Sequence, residues 1–457
     1  MRTPIAALLL VAAAAPALAQ EPAAPAAPAT LTLEQALGEA EKANADLLRA
    51  RADVTLAEAD RTTARAAVLP RLDLSAAAGR SFAGATRGRS VIDPVTGQPV
   101  LVGGSDATNV GSYSADLTAS QVLFDWSAFK DLDAANHGKR QGERLYDEAA
   151  LTVSFDVTQR FYALLRAERS LAVLQQTADR SRELVDRAEA LFSAGRSPKS
   201  DTLTARVNLQ NDLINVEAQR VRVAQARTSL AQALGRTGAE ELSAAPPPGL
   251  DAATLTASAP PPLDQLQARA RERRPTLAAG EEALAASRSS ISSAKGGYLP
   301  ALTARGTYGR SGQDLSGVEG VLGDPTKAYS ASVGVALSWN LFEGMRTRSQ
   351  VTRAEGNLAR NQALQQASVE AVAKEVADAR ASVVSLAAQV TLSEEALRLS
   401  RSALDLATQR FAAGLASQLE IRDANLKLAQ AELALVQSRI DFAVASADLV
   451  RAVGGAL

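Results

Sequence analysis

The sequence predicts a mixed α and β chain built twice from one helix, strand, strand, long helix, helix unit. Three observations carry this reading: segments that recur at near-constant spacing, an unbroken seven-residue apolar seam in each half, and stretches of period-two alternation. Leu47, Leu69-Pro70 and Gly79-Arg80-Ser81 recur at one offset as Leu277, Leu299-Pro300 and Gly309-Arg310-Ser311. Leu123-Phe124-Asp125, Phe192-Ser193-Ala194-Gly195 and Ala205 recur at a shorter offset as Leu341-Phe342-Glu343, Phe411-Ala412-Ala413-Gly414 and Ala424. Offsets that change only across a polar loop are expected of a duplicated unit with loop insertions.

Met1-Arg2-Thr3, the apolar run Ile5 to Ala15 and the small-residue motif Ala17-Leu18-Ala19 read as a secretory signal over residues 1–19, too short to span a bilayer. Residues 20–31 are Pro/Ala-rich and read as a disordered lead-in. The first copy covers 32–236 and the second 264–457. Residues 237–263, with Pro246-Pro247-Pro248 and Pro260-Pro261-Pro262, form a linker or equatorial segment. The opening helix, Thr32 to Val68, begins with a capping box, Thr32 and Gln35. Its counterpart runs from Asp264 to Lys295 with Asp264 and Gln267 in those roles, and Pro275 predicts a break in it.

Between Gly111 and Phe124 the odd positions hold Tyr113, Ala115, Leu117, Ala119 and Leu123, against Ser112, Ser114, Asp116, Thr118 and Ser120. In the second copy Tyr329, Ala331, Val333, Val335, Leu337 and Trp339 alternate with Ser330, Ser332, Gly334 and Ser338. Leu72, Leu74, Ala76 and Ala78, then Leu302, Ala304, Gly306 and Tyr308, mark weaker preceding strands. Such strands suit a tilted crossing of a hydrocarbon layer. Phe82, Tyr113, Tyr308 and Tyr329 gather at one end and Phe124, Trp126, Trp339 and Phe342 at the other, as interfacial anchors do. A soluble β-sandwich is the alternative. Residues 85–109, with the turn-rich Asp93-Pro94-Val95-Thr96-Gly97, and 311–327 read as outer loops. Four strands cannot seal a barrel, and open edges in lipid cost several kcal/mol per unpaired group. Closure therefore needs several chains: two give a plugged eight-stranded barrel, three give twelve strands with room for water.

The long helices follow. Leu164, Ala167, Leu171, Leu174, Ala178, Ser181, Val185, Ala188 and Phe192 keep three-four spacing, and Val383 through Leu386, Val390, Ser393, Leu397, Ser400, Leu404, Ala407 to Phe411 repeat it. That seam predicts coiled-coil-like pairs. Gly195 and Gly414 suit left-handed helix ends. Ser197 is placed to cap the next helix with Pro198 at its first position, and Ser417 with Glu420 makes a second box. The returning helices run Lys199 to Leu234 and Gln418 to Val453.

With 49 Lys+Arg against 50 Asp+Glu, one His and no Cys, the composition argues against nucleic-acid binding, disulfides, zinc sites and His-dependent catalysis. His137 reads as an exposed helix residue without metal partners. No enzyme constellation and no cofactor site is evident.

Taken in order and doubled, the signal, the duplicated unit, the Leu-Pro before each first strand and the Phe-x-x-Gly ending each long helix resemble the TolC-type outer-membrane efflux proteins. The resemblance implies a trimeric twelve-stranded barrel in the outer membrane of a Gram-negative bacterium, continuous with a periplasmic α-helical barrel. It further implies a passive duct for efflux or type I secretion, partnered by a periplasmic adaptor and an inner-membrane pump of the RND, ABC or MFS type. The turns Gly195-Arg196-Ser197 and Gly414-Leu415-Ala416 match adaptor contacts. Glu420 and Asp423 match the acidic pair of the periplasmic aperture. Asp201 matches a latch aspartate whose usual tyrosine and arginine partners fall on Phe411 and Ala416. That leaves closure to packing around Phe411, or to Arg422 or Arg196. A periplasmic coiled-coil adaptor or scaffold is the competing functional reading.

Overall fold

The computed structural model describes residues 29–236, 242–248, 250, 260–313, 329–413 and 415–455. Over them the chain forms β1 (Ala29–Leu31), α1 (Leu33–Ala43), α2 (Ala45–Ala66), β2 (Arg71–Ala83), β3 (Arg89–Ile92), β4 (Pro99–Val102), β5 (Thr108–Phe124), α3 (Trp126–Ser193) and α4 (Lys199–Ala233). There follow β6 (Leu242–Ala244), α5 (Leu263–Arg273), α6 (Pro275–Gly296), β7 (Ala301–Gly312), β8 (Tyr329–Ser338), α7 (Arg346–Ala412) and α8 (Gln418–Val453). The halves match element by element. α1 and α5 have 11 residues each, α2 and α6 have 22, α3 and α7 have 68 and 67, and α4 and α8 have 35 and 36.

The predicted first helix is two helices. Asn44 interrupts it with extended backbone, and its side chain accepts from the Asp46 and Leu47 amides at 2.9 and 3.3 Å, so the break is capped as it forms. The break expected at Pro275 is present. Arg274 ahead of it is extended, as steric clash with a following proline requires. The Thr32–Gln35 box forms in both directions, at 3.0 and 3.3 Å. Its expected counterpart does not. α5 starts after Pro262 with no side-chain cap, which leaves Asp264 inside the first turn, and Gln267 instead donates to the Ala373 carbonyl at 3.2 Å. Residues 29–31 of the expected lead-in are ordered as β1, paired in parallel with β6 from the expected linker. The signal segment, most of that linker and most of the second outer loop lie outside the described residues. The first outer loop is a β3–β4 hairpin; the Asp93 carboxylate accepts from the Val95 amide and the Thr96 hydroxyl, each at 2.9 Å. The periodicity of that loop was too short to reveal strands.

The main sheet runs β2-β5-β7-β8, antiparallel throughout. Its register joins the two halves at β5–β7 and aligns the apolar positions across all four strands. Leu74 faces Leu117, Leu117 faces Tyr308, and Tyr308 faces Ala331; Ala119 faces Gly306, which faces Val333. The opposite face carries Asp73, Thr118, Thr307 and Ser332 in one row. An irregularity between Val122 and Phe124 sets Phe124, not Leu123, opposite Leu302. The bulge thereby turns an aromatic onto the apolar face.

Two compact units emerge, and neither coincides with a sequence half. The first comprises the described residues within Met1–Ala40, Asp156–Thr256 and Gln389–Asp441. Its core is the predicted seam: Leu164, Ala178, Val185 and Ala188 on α3, and Val390, Leu397 and Ala407 on α7, are buried. Val185 and Ala188 pack on Ala205 and Leu209 of α4, while Leu397 and Leu404 pack on Leu428, Ala431 and Leu435 of α8.

The second unit comprises Glu41–Phe155, Ala257–Ala388 and Phe442–Leu457 among the described residues. It centres on Arg274, 4% exposed. This guanidinium donates to Glu148 and to Glu375 at 3.1 Å, and to the Arg451 and Ala452 carbonyls at 3.0 and 3.1 Å. Two carboxylates thus offset its buried charge, and it satisfies carbonyls that the end of α8 would otherwise orphan. His137 is not solvent-exposed as expected; its Nδ1 lies 2.6 Å from Glu282, which also accepts from Arg140 at 3.0 Å. Burial works against the charged form of Glu282, but the His137 and Arg140 hydrogen bonds outweigh it and hold its carboxyl below the usual range.

A group held low in this way stabilises the fold above its unfolded pKa and loses that contribution as pH falls. The unfolding midpoint in detergent is therefore expected to drop as pH falls through about 4.3, the ordinary glutamate value. Glu282→Gln should flatten part of that drop; identical acid profiles for the two proteins would exclude Glu282 as a contributor.

Candidate functional site

Two regions hold the residues singled out from the sequence: the apolar sheet face in one unit, and the helix turns in the other. On the sheet, Phe82 lies opposite Asn109, Tyr113 opposite Ala78 and Gly312, and Tyr329 opposite Arg310. Tyr308 sits further in, opposite Leu117, and stacks on Tyr329 with centroids 5.7 Å apart. The expected upper girdle is therefore staggered from strand to strand, as strand tilt requires. At the other end Phe124 faces Leu302, Trp339 follows β8 and donates to the Tyr298 carbonyl at 3.1 Å, and Lys130 sits 5.3 Å over the Trp126 ring. Leu72, Leu74, Val333, Leu337 and Phe342 are exposed in the single chain. A stripe of that size on a sheet needs an apolar medium or partner.

At the turns, local sequence sets the geometry. Gly195 has φ +71, which only glycine adopts cheaply. Its amide bonds the Phe192 carbonyl at 2.9 Å and the Arg196 amide bonds Leu191 at 2.8 Å, the Schellman arrangement. In the second copy the Leu415 amide reaches the Arg410 carbonyl at 2.8 Å; Gly414 itself lies outside the described residues. Ser197 does not cap α4. Pro198 takes the cap position with extended backbone and no side-chain bond, and the Ser197 hydroxyl is buried without a partner. Pro198 supplies the backbone angles a cap needs, so the serine is displaced one place outward. Leu415 is exposed and Ala416 half-buried.

The second box forms in one direction only. Ser417 Oγ accepts from the Glu420 amide at 3.3 Å, but the Glu420 carboxylate turns to Arg410 at 2.7 Å. Asp423 pairs with Lys427 at 2.7 Å. Each acidic side chain of the expected aperture therefore has a basic neighbour in its own chain, and both pairs are largely exposed. Asp201 lines a cleft of about 120 Å³ with Ser181, Thr204, Asn208 and Arg422. Phe411 ends the α7 seam, half-buried, and neither it nor Ala416 has a polar side-chain atom to offer Asp201.

A buried cluster adjoins this cleft, which Ser181 and Arg422 also line. Arg422 of α8 binds Asp212 of α4 through both nitrogens, at 2.6 and 3.0 Å, and donates to Ser181 of α3 at 2.9 Å. Ser181 in turn donates to Asp212 at 2.6 Å. The Arg422 and Asp212 side chains are 12% and 6% exposed. Three helices from both halves thus meet at one charge-assisted, bidentate node. Arg422 was named from the sequence; Asp212 was missed. Its signal was present: Thr202, Ala205, Leu209, Asp212 and Val216 keep three-four spacing, so a carboxylate stands where an apolar seam residue belongs. Among the described residues no group of three or more His, Cys, Asp or Glu is placed to hold a metal.

Asp212→Leu alone is expected to destabilise the protein by about 3–5 kcal/mol, because it strands a buried guanidinium. Asp212→Leu with Arg422→Leu should recover most of that loss in thermal unfolding. A double variant as weak as the single one would deny the coupling.

Comparison with known proteins places these features. The family described as Outer membrane efflux protein matches residues 36–236 and 266–455. Outer membrane protein OprJ of Pseudomonas aeruginosa is 28% identical over 367 residues, 78% of this chain and 72% of that one. Outer membrane protein TolC of Vibrio cholerae is 24% identical over 343 residues, 75% and 76% of the two chains. Among solved structures, the Campylobacter jejuni CmeC outer membrane channel superimposes with TM-score 0.73 at 17% identity, over 93% of this chain and 85% of that one. The open state of the Neisseria gonorrhoeae MtrE outer membrane channel gives 0.74 at 20%, over 93% and 89%.

Proposed function

The chain belongs to the outer membrane efflux protein family, and from that premise we propose that it is the passive outer-membrane exit duct of a tripartite efflux or secretion assembly. One observation carries the reading: a four-stranded sheet with a single apolar face and with β2 and β8 each paired on one side only. Unpaired edge groups are not tolerated in hydrocarbon, so the reading requires other copies to complete the sheet. Three copies give twelve strands around a lumen wide enough for water. The even strand number per chain keeps the alternation antiparallel around the ring. The apolar face meets outer-membrane lipid, and the polar face, with Asp73, Thr118, Thr307 and Ser332, lines the lumen. The element-by-element match of the halves supports an origin by internal duplication. Among the described residues no constellation suggests catalysis.

The helix turns, on this reading, are the periplasmic tip, with Gly195, Arg196, Ser197, Gly414, Leu415 and Ala416 offered to a periplasmic adaptor working with an inner-membrane pump. OprJ, TolC and CmeC carry the corresponding outer-membrane descriptions in their names. Glu420 and Asp423, repeated threefold, would ring the aperture, their field reduced by Arg410 and Lys427. Closure is assigned to the Asp212–Arg422–Ser181 node in place of an Asp201 latch. Opening then requires α8 to move off α3 and α4, which is resisted by a paired charge that water cannot readily replace.

Purified protein is expected to add stepwise conductance to planar lipid bilayers, and the Asp212→Leu, Arg422→Leu double variant to raise the closed-state conductance several-fold. Absence of steps would overturn the duct. Steps of unchanged size in the double variant would overturn the latch alone.

A further inference from the structure

The two copies make the crossing from strand to long helix with opposite charge. In the first, residues 122–135 carry Lys130 against Asp125, Asp131 and Asp133. Lys130 pairs with Asp133 at 3.3 Å, and the Asp125 carboxylate accepts from the Ser127 and Ala128 amides at 2.9 and 3.3 Å. In the second, residues 340–353 carry Arg346, Arg348 and Arg353 against Glu343 alone. Asn340 donates to that carboxylate at 2.6 Å. Among the described residues none of the three arginines has an ion-pair partner, nor has Lys295 at the end of α6, and all four are exposed. Apolar side chains stand beside this charge. Leu341 and Phe342 are each 81% exposed and Met345 is 63% exposed; Trp339 and Tyr298 are exposed as well. Gly344 and Met345 form the bend between β8 and α7 with φ +59 and +68, backbone that residues other than glycine rarely adopt. A cleft of about 150 Å³ opens at this bend, lined by Tyr298, Phe342, Met345, Arg346 and Arg348 among others.

Resting on the membrane placement proposed above, we infer that this bend binds an anionic phospholipid of the periplasmic leaflet, one molecule per chain. Trp339 continues the alternation of Val333, Val335 and Leu337, so the bend comes just past the helix end of the lipid-facing stripe. A phospholipid there presents a negatively charged phosphodiester next to its acyl chains. Arg346 and Arg348 meet the phosphate at the cleft, since guanidinium groups match its oxygens in charge and geometry. Leu341, Phe342 and Met345 lie against the chains. Arg353 stands two turns along α7 from Arg346, about 10 Å, near enough to add to the attraction that juxtamembrane Lys and Arg clusters exert on anionic lipid. A second copy is the competing occupant, because β8 is an edge strand. Charge argues against it. On the duct reading the nearest part of a neighbour is the start of its β2, where residues 66–80 hold one carboxylate, Asp73, and Arg71 already pairs with it at 2.8 Å. The basic cluster thus finds its complement in lipid rather than in protein.

Native mass spectrometry of the delipidated protein in zwitterionic detergent tests this, with phosphatidylglycerol or phosphatidylcholine of the same acyl chains titrated in. Phosphatidylglycerol is expected to be retained, up to one molecule per chain, at concentrations where phosphatidylcholine leaves the protein bare. Arg346→Gln with Arg348→Gln should weaken that retention by about tenfold or more. Arg346→Lys with Arg348→Lys should keep the preference, and Lys130→Gln should leave it unchanged. Glycerol 3-phosphate, which lacks acyl chains, should not displace the lipid. Equal retention of the two lipids, or an unaltered titration in the Gln double variant, would overturn the inference. So would displacement by glycerol 3-phosphate, the mark of a plain phosphate site. Leu341→Ser with Phe342→Ser should lower retention and keep the native mass; a fall in mass with retention unchanged would put a neighbouring copy on those side chains and overturn it too. Failure of the lipid preference on a particle of three chains removes this inference alone. A native mass of one chain for the unsubstituted protein would remove the reading beneath it, and the inference with it.

Discussion

Backbone hydrogen bonding at the edges of one sheet governs the rest of this structure. Four antiparallel strands bring an apolar face to one side, and the register aligns that face from β2 through β8. A soluble sandwich would cover such a face with a second sheet or with helices. Among the described residues nothing covers Leu72, Leu74, Val333 and Leu337, and both outer strands are paired on one side only. A membrane exacts satisfaction of edge amides and carbonyls and at the same time accepts the face. On the proposed duct reading, oligomerisation is thus a condition on the sheet rather than an addition to it.

The helices answer a different constraint. A coiled-coil seam is permissive: any run of small and aliphatic residues at three-four spacing will pack, and sliding or opening costs little specificity. The Asp212–Arg422–Ser181 node supplies what the seam lacks, a single geometry in which three helices are registered. A buried ion pair is a poor source of net stability, since desolvation consumes most of its Coulombic gain. Its value lies in making one arrangement distinct from its neighbours, which suits the closing role proposed for it. Buried polar atoms without partners gather nearby, on Ser197, Thr202, Arg422 and Asn425.

Much of this was legible in the sequence because its signals are periodic and doubled. The seam from Leu164 to Phe192 reappears as the buried line of α3, the long helices end within two residues of the positions read for them, and α8 spans Gln418–Val453 as expected. What escaped detection was local or tertiary. Asn44 breaks a helix by capping, a signal one residue wide that a long apolar period hides. The β3–β4 hairpin and the three-residue β1–β6 pairing are too short to have a period. Ser197 lost the cap to Pro198, and Asp264 lost it to the proline ahead of α5, cases where fixed proline geometry outranks side-chain preference. His137 and Asp212 show the remaining limit: spacing places a residue on a face, but its partner, Glu282 or Arg422, comes from the other half of the chain.

The measurement that bears most directly on the account is the mass of the protein held in lipid nanodiscs or mild detergent, determined by native mass spectrometry. Three chains per particle, persisting after lipid is stripped, are what the open sheet edges predict. A single chain stably embedded in lipid, with its sheet intact and its edge strands unpaired, would contradict it.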